Sequence, residues 1–217
     1  MRGCAKAIRL SQTDWLRFAD NRLPPTRMTA RPLRGCGARA HARGDLGFED
    51  LREQLGGFSE NFTVLEVGSY FGYTTRWLSY LFKRVIALDA VPELLQANRE
   101  YNSDRENILY LRFHTGHHDW SIFSMNAIHV VFLDASHDFE SVMQDIDNCL
   151  RIPTVSLIIF DDYGAEEGVR MAVQRFVSAA RLRPVAFLGE GAAGSWRLRD
   201  GREVQDREAV ACEVLRP

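Results

Sequence analysis

An α/β fold with a doubly wound, mostly parallel sheet and a C-terminal antiparallel hairpin is predicted by three features of this 217-residue sequence. Short apolar runs alternate with helical periods five times from Phe62 onward. Those runs close on glycines or acids, and two further strand-like runs end the pattern.

The first run, "FTVLEVG", reads as a buried strand ending on Gly68, and Trp77, Leu78, Leu81 and Phe82 then fall on one helical face. "RVIALDA" is a second strand ending at Asp89, and Pro92 is well placed to start the helix "PELLQANREYN". "NILYLRF" and "AIHVVFLDA" are the third and fourth strands. Phe139, Val142, Met143, Ile146 and Leu150 recur at helical spacing after the fourth. "VSLIIFDDY" is a fifth strand ending in two acids, and Val169, Ala172, Val173, Phe176 and Val177 mark another amphipathic helix. "PVAFLGEG" and "GSWRLRDG" read as the closing hairpin, with Trp77 and Trp196 as packing residues.

The chain has one domain's worth of core, with 46% hydrophobic residues. Its formal charge of −2 hides an asymmetry: residues 1–44 carry ten Lys or Arg against two acids, and the remaining 173 carry seventeen against twenty-seven. The Pro-, Gly- and Arg-rich residues 1–45 are expected to form a basic, flexible extension, with the domain spanning 46–217 and residues 46–60 a short cap candidate. An acidic body argues against a nucleic-acid partner, whose affinity would need neutralised phosphates. Cys4, Cys36, Cys149 and Cys212 lack zinc-like spacing, which points to reduced thiols. No apolar run approaches the roughly 18 to 20 residues of a membrane span. The expectation is a soluble, cytoplasmic protein without membrane contact. The Arg-rich leader also resembles an organellar transit peptide, its alternatives being an unstructured tail or a start at Met28.

In an open parallel sheet, ligands lie beyond the carboxyl ends of the strands, where strand order reverses. That makes Glu66, Gly68, Gly72, Asp89, Asp134, Asp161 and Asp162 candidates. A dinucleotide site would need a glycine two residues after Gly68, where this chain has Tyr70. The pattern is instead E-x-G-x-x-x-G, and Asp89, at the end of the second strand, suits a ribose diol.

In these motifs, over about residues 62 to 196, the chain resembles the class I S-adenosylmethionine-dependent methyltransferases, which have a Rossmann-like sheet. Within them it is similar to the small-molecule O-methyltransferase branch that includes macrolide-sugar and catechol enzymes. "LEVGSYFG" matches motif I, which implies that Glu66, Gly68, Ser69, Tyr70 and Gly72 surround the methionine half of S-adenosylmethionine. The resemblance also implies a ribose contact from Asp89, with Ala90 beside the adenine, and adenine contacts from His114 and Thr115. The fourth-strand signature of related sequences, D-x-x-H-x-(aromatic)-x-x-V-x-x-D, is matched by Asp134, His137, Phe139, Val142 and Asp145.

The implied reaction is methyl transfer to a small hydroxylated acceptor, with Asp134 and His137 as the catalytic pair. An imidazole with an unperturbed pKa of roughly 6.5 suits removal of a hydroxyl proton; its rival role is to hold the Asp134 turn. Ser136 stands where the macrolide-sugar type has an aspartate. Asp134, Asp161 and Asp162 are candidates to hold one divalent cation such as Mg2+, the alternative being that Asp134 touches only cofactor or substrate while Asp161 caps a turn. Asp138 reads as a helix N-cap, and Asp145 and Asp147 as residues of a solvated face. His114, His117, His118 and Asp119 read as a loop near the adenine in preference to a zinc site, with Trp120 as a cover for the adenine. Oligomeric state is left open, a homo-oligomer included. A non-catalytic Rossmann-like binding module and an NAD-dependent oxidoreductase are the competing functions.

Overall fold

A computed structural model of the chain describes residues 60–189, 195–197, 203–205 and 208–216. The expectations for the basic extension, the domain start and the cap candidate fall on residues 1–59, outside the described residues, as does the side chain of Trp196.

The order is β1 (Thr63–Val67), α1 (Tyr73–Leu81), β2 (Arg84–Asp89), α2 (Pro92–Tyr101), β3 (Ile108–Arg112), β4 (Val130–Leu133), α3 (Phe139–Arg151), β5 (Leu157–Phe160), α4 (Glu167–Ser178), β6 (Leu182–Leu188), β7 (Ser195–Arg197), β8 (Glu203–Gln205) and β9 (Ala209–Val214). Seven strands form one sheet in the order β3-β2-β1-β4-β5-β9-β6. The first five are mutually parallel, and β9 runs antiparallel to both β5 and β6. The predicted fold class is therefore present.

The five parallel strands are apolar because both faces are covered. Leu65, Val67, Ile86, Leu88, Val131, Leu133, Ile158 and Phe160 point to one face, where they meet Val142, Ile146 and Cys149 of α3 and Val169, Val173 and Phe176 of α4. The intervening Val64, Val85, Ala87, Val130, Phe132, Leu157 and Ile159 meet Leu78 of α1 and Phe82 just beyond it on the other. Cys149 and Cys212 are buried free thiols. Among the described residues, no helix is long and apolar enough to cross a membrane.

The closing antiparallel pair differs from expectation in its second strand. β6 pairs with Ala209–Val214, whereas Ser195–Arg197 pairs only with Glu203–Gln205 in a separate ribbon. The reason is burial. Residues 209–212 are all buried, so "AVACEV" is apolar enough to fill the slot between β5 and β6.

Strand order reverses between β1 and β4, and there the backbones nearly touch. Asp134 N–H donates to the Val67 carbonyl at 2.9 Å, and Gly68 has φ +89°. A Cβ on Gly68 would lie 1.9 Å from the Asp134 carbonyl oxygen. Gly68→Ala therefore combines a backbone clash with a disfavoured φ, and is expected to destabilise the protein by about 2–4 kcal/mol in urea unfolding.

Candidate functional site

The carboxyl ends of β1, β2, β4 and β5 bring the sequence-predicted acids to one edge of the sheet. At β1, Glu66 is completely buried and its Oε2 accepts from the Thr75 hydroxyl at 2.6 Å, while its Oε1 has no partner. Burial raises its pKa well above the usual carboxylate range; the Thr75 bond opposes this, and the charges of Asp134 and Asp89 add to it. Glu66 thus favours its neutral form more than an exposed carboxyl does, on the strand that lies between two others of the site. Ser69 is buried beside it with an unpartnered hydroxyl.

Tyr70 takes a left-handed φ of 45° with its ring exposed, which turns its N–H onto Asp89 Oδ2 at 2.9 Å. Val91 N–H reaches Asp89 Oδ1 at 2.9 Å. Asp89 is therefore held by one backbone donor on each oxygen, with further lone pairs free in the plane of the carboxylate. Gly72, at φ +88°, starts α1.

Beneath this loop lies a network that the sequence reading missed. Asn98 donates to the Thr75 hydroxyl at 2.8 Å, and Asn102 donates to the Gly72 carbonyl and to Asn98 Oδ1, each at 2.9 Å. Both asparagines are buried on α2 and its C-cap, in register with Leu95. Polar residues on the apolar stripe of a helix were the available signal.

At β4, Asp134 Oδ1 and Asp162 Oδ2 each lie 3.4 Å from His137 Nε2. Each of the three side chains is about one-third exposed. Asp138 accepts from Ser141 N–H at 3.0 Å as the N-cap of α3, as its sequence position predicts. A Cβ on Gly168 would lie 2.2 Å from the His137 carbonyl, so the first turn of α4 presses on the turn after β4. Asp162 has a left-handed φ of 54°, and its carbonyl accepts from Ala165 and Glu166 N–H, which close the turn into α4.

The Asp134 hydrogen bond raises the His137 imidazole above its ordinary pKa; burial opposes this, and the charges of Asp162, Asp134 and Glu166 reinforce it. Asp162 is itself raised, chiefly by burial and then by Asp134, with His137 opposing. Burial and the neighbouring Asp134 and Asp162 likewise raise Asp161. The edge is therefore crowded with carboxyl groups, and the His137 imidazole is set among them.

Asp134, His137 and Asp162 each offer an atom within 4.8 Å of the others, as a metal ion would require. Asp161, expected as the third ligand, is outside that group and His137 takes its place. Two oxygens and one imidazole nitrogen suit a divalent cation, and the nitrogen widens the choice beyond Mg2+ to transition ions.

The loop after β3 departs from several expectations. Trp120 is buried against Phe113 and Phe123 and donates its indole N–H to the Thr115 carbonyl at 2.9 Å, so it belongs to the core and does not cover a ligand. Asp119 accepts from Ser121 N–H at 2.8 Å as the cap of a short turn, and His118 Nδ1 accepts from His114 N–H at 2.7 Å. The three histidines form no metal-binding group with Asp119 among the described residues. His114 is exposed and Thr115 partly buried. The Arg112 guanidinium donates to the Ala90 carbonyl at 3.3 Å.

Asp145 is not solvated: it is 1% exposed, whereas Asp147 is partly exposed and pairs with Arg181 at 2.7 Å. The face that carries Val142, Ile146 and Cys149 also carries residue 145. Burial lifts the Asp145 carboxyl to about 6, against a lowering by the Thr115 hydroxyl, and Asp138 adds to the rise.

Residues 65–163 match the model of a family described as a methyltransferase domain. Among solved structures, the chain is similar to the O-methyltransferase from Bacillus cereus in complex with S-adenosylhomocysteine, at 16% identity and a TM-score of 0.55 over 85% of this chain and 84% of that one. The N-methyltransferase NodS from Bradyrhizobium japonicum, also in complex with S-adenosylhomocysteine, is 14% identical with a TM-score of 0.57, over 80% and 87% of the two chains. An rRNA methylase from Streptococcus thermophilus is 16% identical with a TM-score of 0.50, over 88% and 100%. At such identities these likenesses concern the fold. No curated protein sequence matches the chain.

The His137 assignment is open to direct measurement. Because its folded pKa is raised, protonation of His137 contributes stability that is fully present below the unfolded value of roughly 6.5 and lost as pH rises through the folded value. NMR titration is expected to give a His137 midpoint above that of a free imidazole, and Asp134→Asn to bring it down.

Proposed function

We propose that the methyltransferase domain over residues 65–163 transfers the methyl group of S-adenosylmethionine to a hydroxyl of a small acceptor, with His137 receiving the hydroxyl proton. The observation that carries this reading is the arrangement of Glu66, Asp89 and Asp134 at the strand-order switch beside the glycine loop, with His137 between Asp134 and Asp162. An edge so rich in carboxyl groups suits a ligand that brings positive charge, and S-adenosylmethionine carries a sulfonium and an ammonium. The buried, unpartnered Glu66 Oε1 and Ser69 Oγ fit a polar ligand at the same loop. The family match, and the fold shared with methyltransferases, support the same chemistry.

In this reading Asp89 receives the ribose hydroxyls, because its two oxygens are already aimed by the Tyr70 and Val91 N–H groups. Glu66, Gly68, Ser69 and Gly72 shape the methionine end, and Ala90 and His114 border the adenine. The bound cofactor supplies an activated methyl carbon. The protein's part is to hold the acceptor oxygen in line with that carbon and to take its proton. His137 Nε2–H, set between Asp134 and Asp162, orients the ring by donating to these carboxylates and leaves Nδ1 as the basic nitrogen, and the flanking carboxylates stabilise the imidazolium that results.

A second reading is carried by the metal-like spacing of Asp134, His137 and Asp162. A cation held there would lower the acceptor hydroxyl's pKa, leaving His137 as a ligand. A cation on Nε2 would displace the proton that pairs it with Asp134 and Asp162, so methyl transfer in the presence of a chelator separates the two readings.

The acidic balance of residues 45–217 supports a small molecule over a nucleic acid as acceptor. The rRNA methylase likeness is a likeness of fold.

Calorimetry with S-adenosylhomocysteine, followed by a methyl-transfer screen of hydroxylated compounds with Mg2+ or chelator, tests the reading; absence of binding at millimolar ligand ends it. Asp89→Ala is expected to weaken S-adenosylhomocysteine about 10- to 100-fold through loss of two charge-assisted hydrogen bonds. Asp134→Ala and Asp162→Ala should instead lower turnover more than cofactor affinity.

A further inference from the structure

Asn98 and Asn102 have no part in the chemistry above, yet both are buried, at 0% and 1% exposure, on α2 and its C-cap. Each amide has a defined direction. Asn98 donates to the Thr75 hydroxyl at 2.8 Å and to the Ser69 carbonyl at 3.4 Å, and its own Oδ1 accepts from Asn102 Nδ2 at 2.9 Å. Asn102 also donates to the Gly72 carbonyl at 2.9 Å. Ser69 and Gly72 are the two ends of one turn, closed by Gly72 N–H on the Ser69 carbonyl at 2.9 Å, so the two asparagines grip both of its ends. Neither carbonyl depends on them for a partner, because Ser69 has the Gly72 N–H and Gly72 has the Arg76 N–H at 3.0 Å. What the amides add is direction.

We propose that Asn98 and Asn102 are positioning residues for the glycine loop that receives the methionine end of the cofactor. The proposal rests on the methyltransferase reading and names what holds that loop in shape. Between the two gripped carbonyls stands Tyr70 with its left-handed φ of 45°, a conformation that a non-glycine residue keeps only where its surroundings over-determine it. The Tyr70 N–H is one of the two that aim Asp89. The asparagines supply the over-determination from beneath. Gly72 belongs to the same device: a Cβ there would lie 2.2 Å from Asn98 Oδ1 and 2.6 Å from Asn102 Nδ2, so its missing side chain lets the loop seat on the pair.

Neither asparagine touches ligand or reacting atom in this scheme, so the effect should fall on the half of the ligand that the loop meets. The test uses the full chain and calorimetric titration with two probes, S-adenosylhomocysteine and 5′-methylthioadenosine, which has the adenosyl half but no amino-acid end. Asn98→Leu and Asn102→Leu keep the branched shape of the side chain without its amide. Each is expected to weaken S-adenosylhomocysteine about tenfold and methylthioadenosine by no more than about threefold, because Asp89 keeps its Val91 donor. A merely structural role would lower thermal stability and leave the two probes affected alike. Equal losses on both probes, or parent-like affinity for S-adenosylhomocysteine in a folded variant, would each overturn the proposal.

The parent chain offers a second measurement that needs no variant. Its Gly72 N–H is expected to exchange with solvent about a hundredfold or more slowly than a free-chain amide, as befits a turn gripped at both ends. Exchange at the free-chain rate would show that the turn is not held and would overturn the proposal even if neither variant folds. If the parent binds neither probe, the methyltransferase reading fails and the proposal falls with it; if the parent binds S-adenosylhomocysteine and the variants bind it equally well, only the positioning role fails.

Discussion

The approach of β1 to β4 at Gly68 is the constraint on which the site depends. With the Asp134 carbonyl 1.9 Å from where a Cβ would be, the loop after β1 and the turn after β4 are set at backbone contact, with no side chain between them. The Asp134 N–H bond to Val67 fixes the same register. Once those two segments are pinned, Glu66 and Asp134 are close enough to feel each other's charge, and Asp89 joins them because Gly68 and Ser69 N–H both bond the Leu88 carbonyl. Topology creates the gap at the switch point, and the missing Cβ lets the two sides close on it.

Crowding carboxyl groups at that edge has an electrostatic cost that the protein meets in two ways. Glu66 and Asp161 are pushed toward neutrality, chiefly by burial. Asp134 and Asp162, nearer solvent, share the His137 imidazole. An arrangement that raises several acids and one histidine together responds to an incoming cation by releasing protons. Such a site is poised for a positively charged ligand, and loss of that charge on methyl transfer would weaken its hold on the product.

Much of this could be read from residue order, because burial and backbone geometry leave short-range marks. The five parallel strands show as apolar runs, Asp138 as a cap at the required distance from Ser141, and the strand-end acids by position. What escaped depends on partners distant in sequence. Asp145 looked solvated because one acid on an amphipathic helix is ordinarily on its wet side. Asn98 and Asn102 are explained only by Thr75 and Gly72, 23 and 30 residues away. Strand β9 lay beyond the segment that seemed to close the sheet, and only the slot between β5 and β6 shows that "AVACEV" is needed there. That His137 and not Asp161 groups with Asp134 and Asp162 depends on where the folded chain sets these side chains, which residue order does not show.

Helix α3 joins these observations mechanically. Its first turn follows His137 and is capped by Asp138; its middle buries Asp145; its apolar face lies on β4 and its neighbours through Val142 and Ile146. α4 presses on its start through Gly168. If α3 shifted along the sheet, His137 would leave the Asp134–Asp162 pair, so the packing of Val142 and Ile146 on the sheet is what holds the imidazole between its two carboxylates.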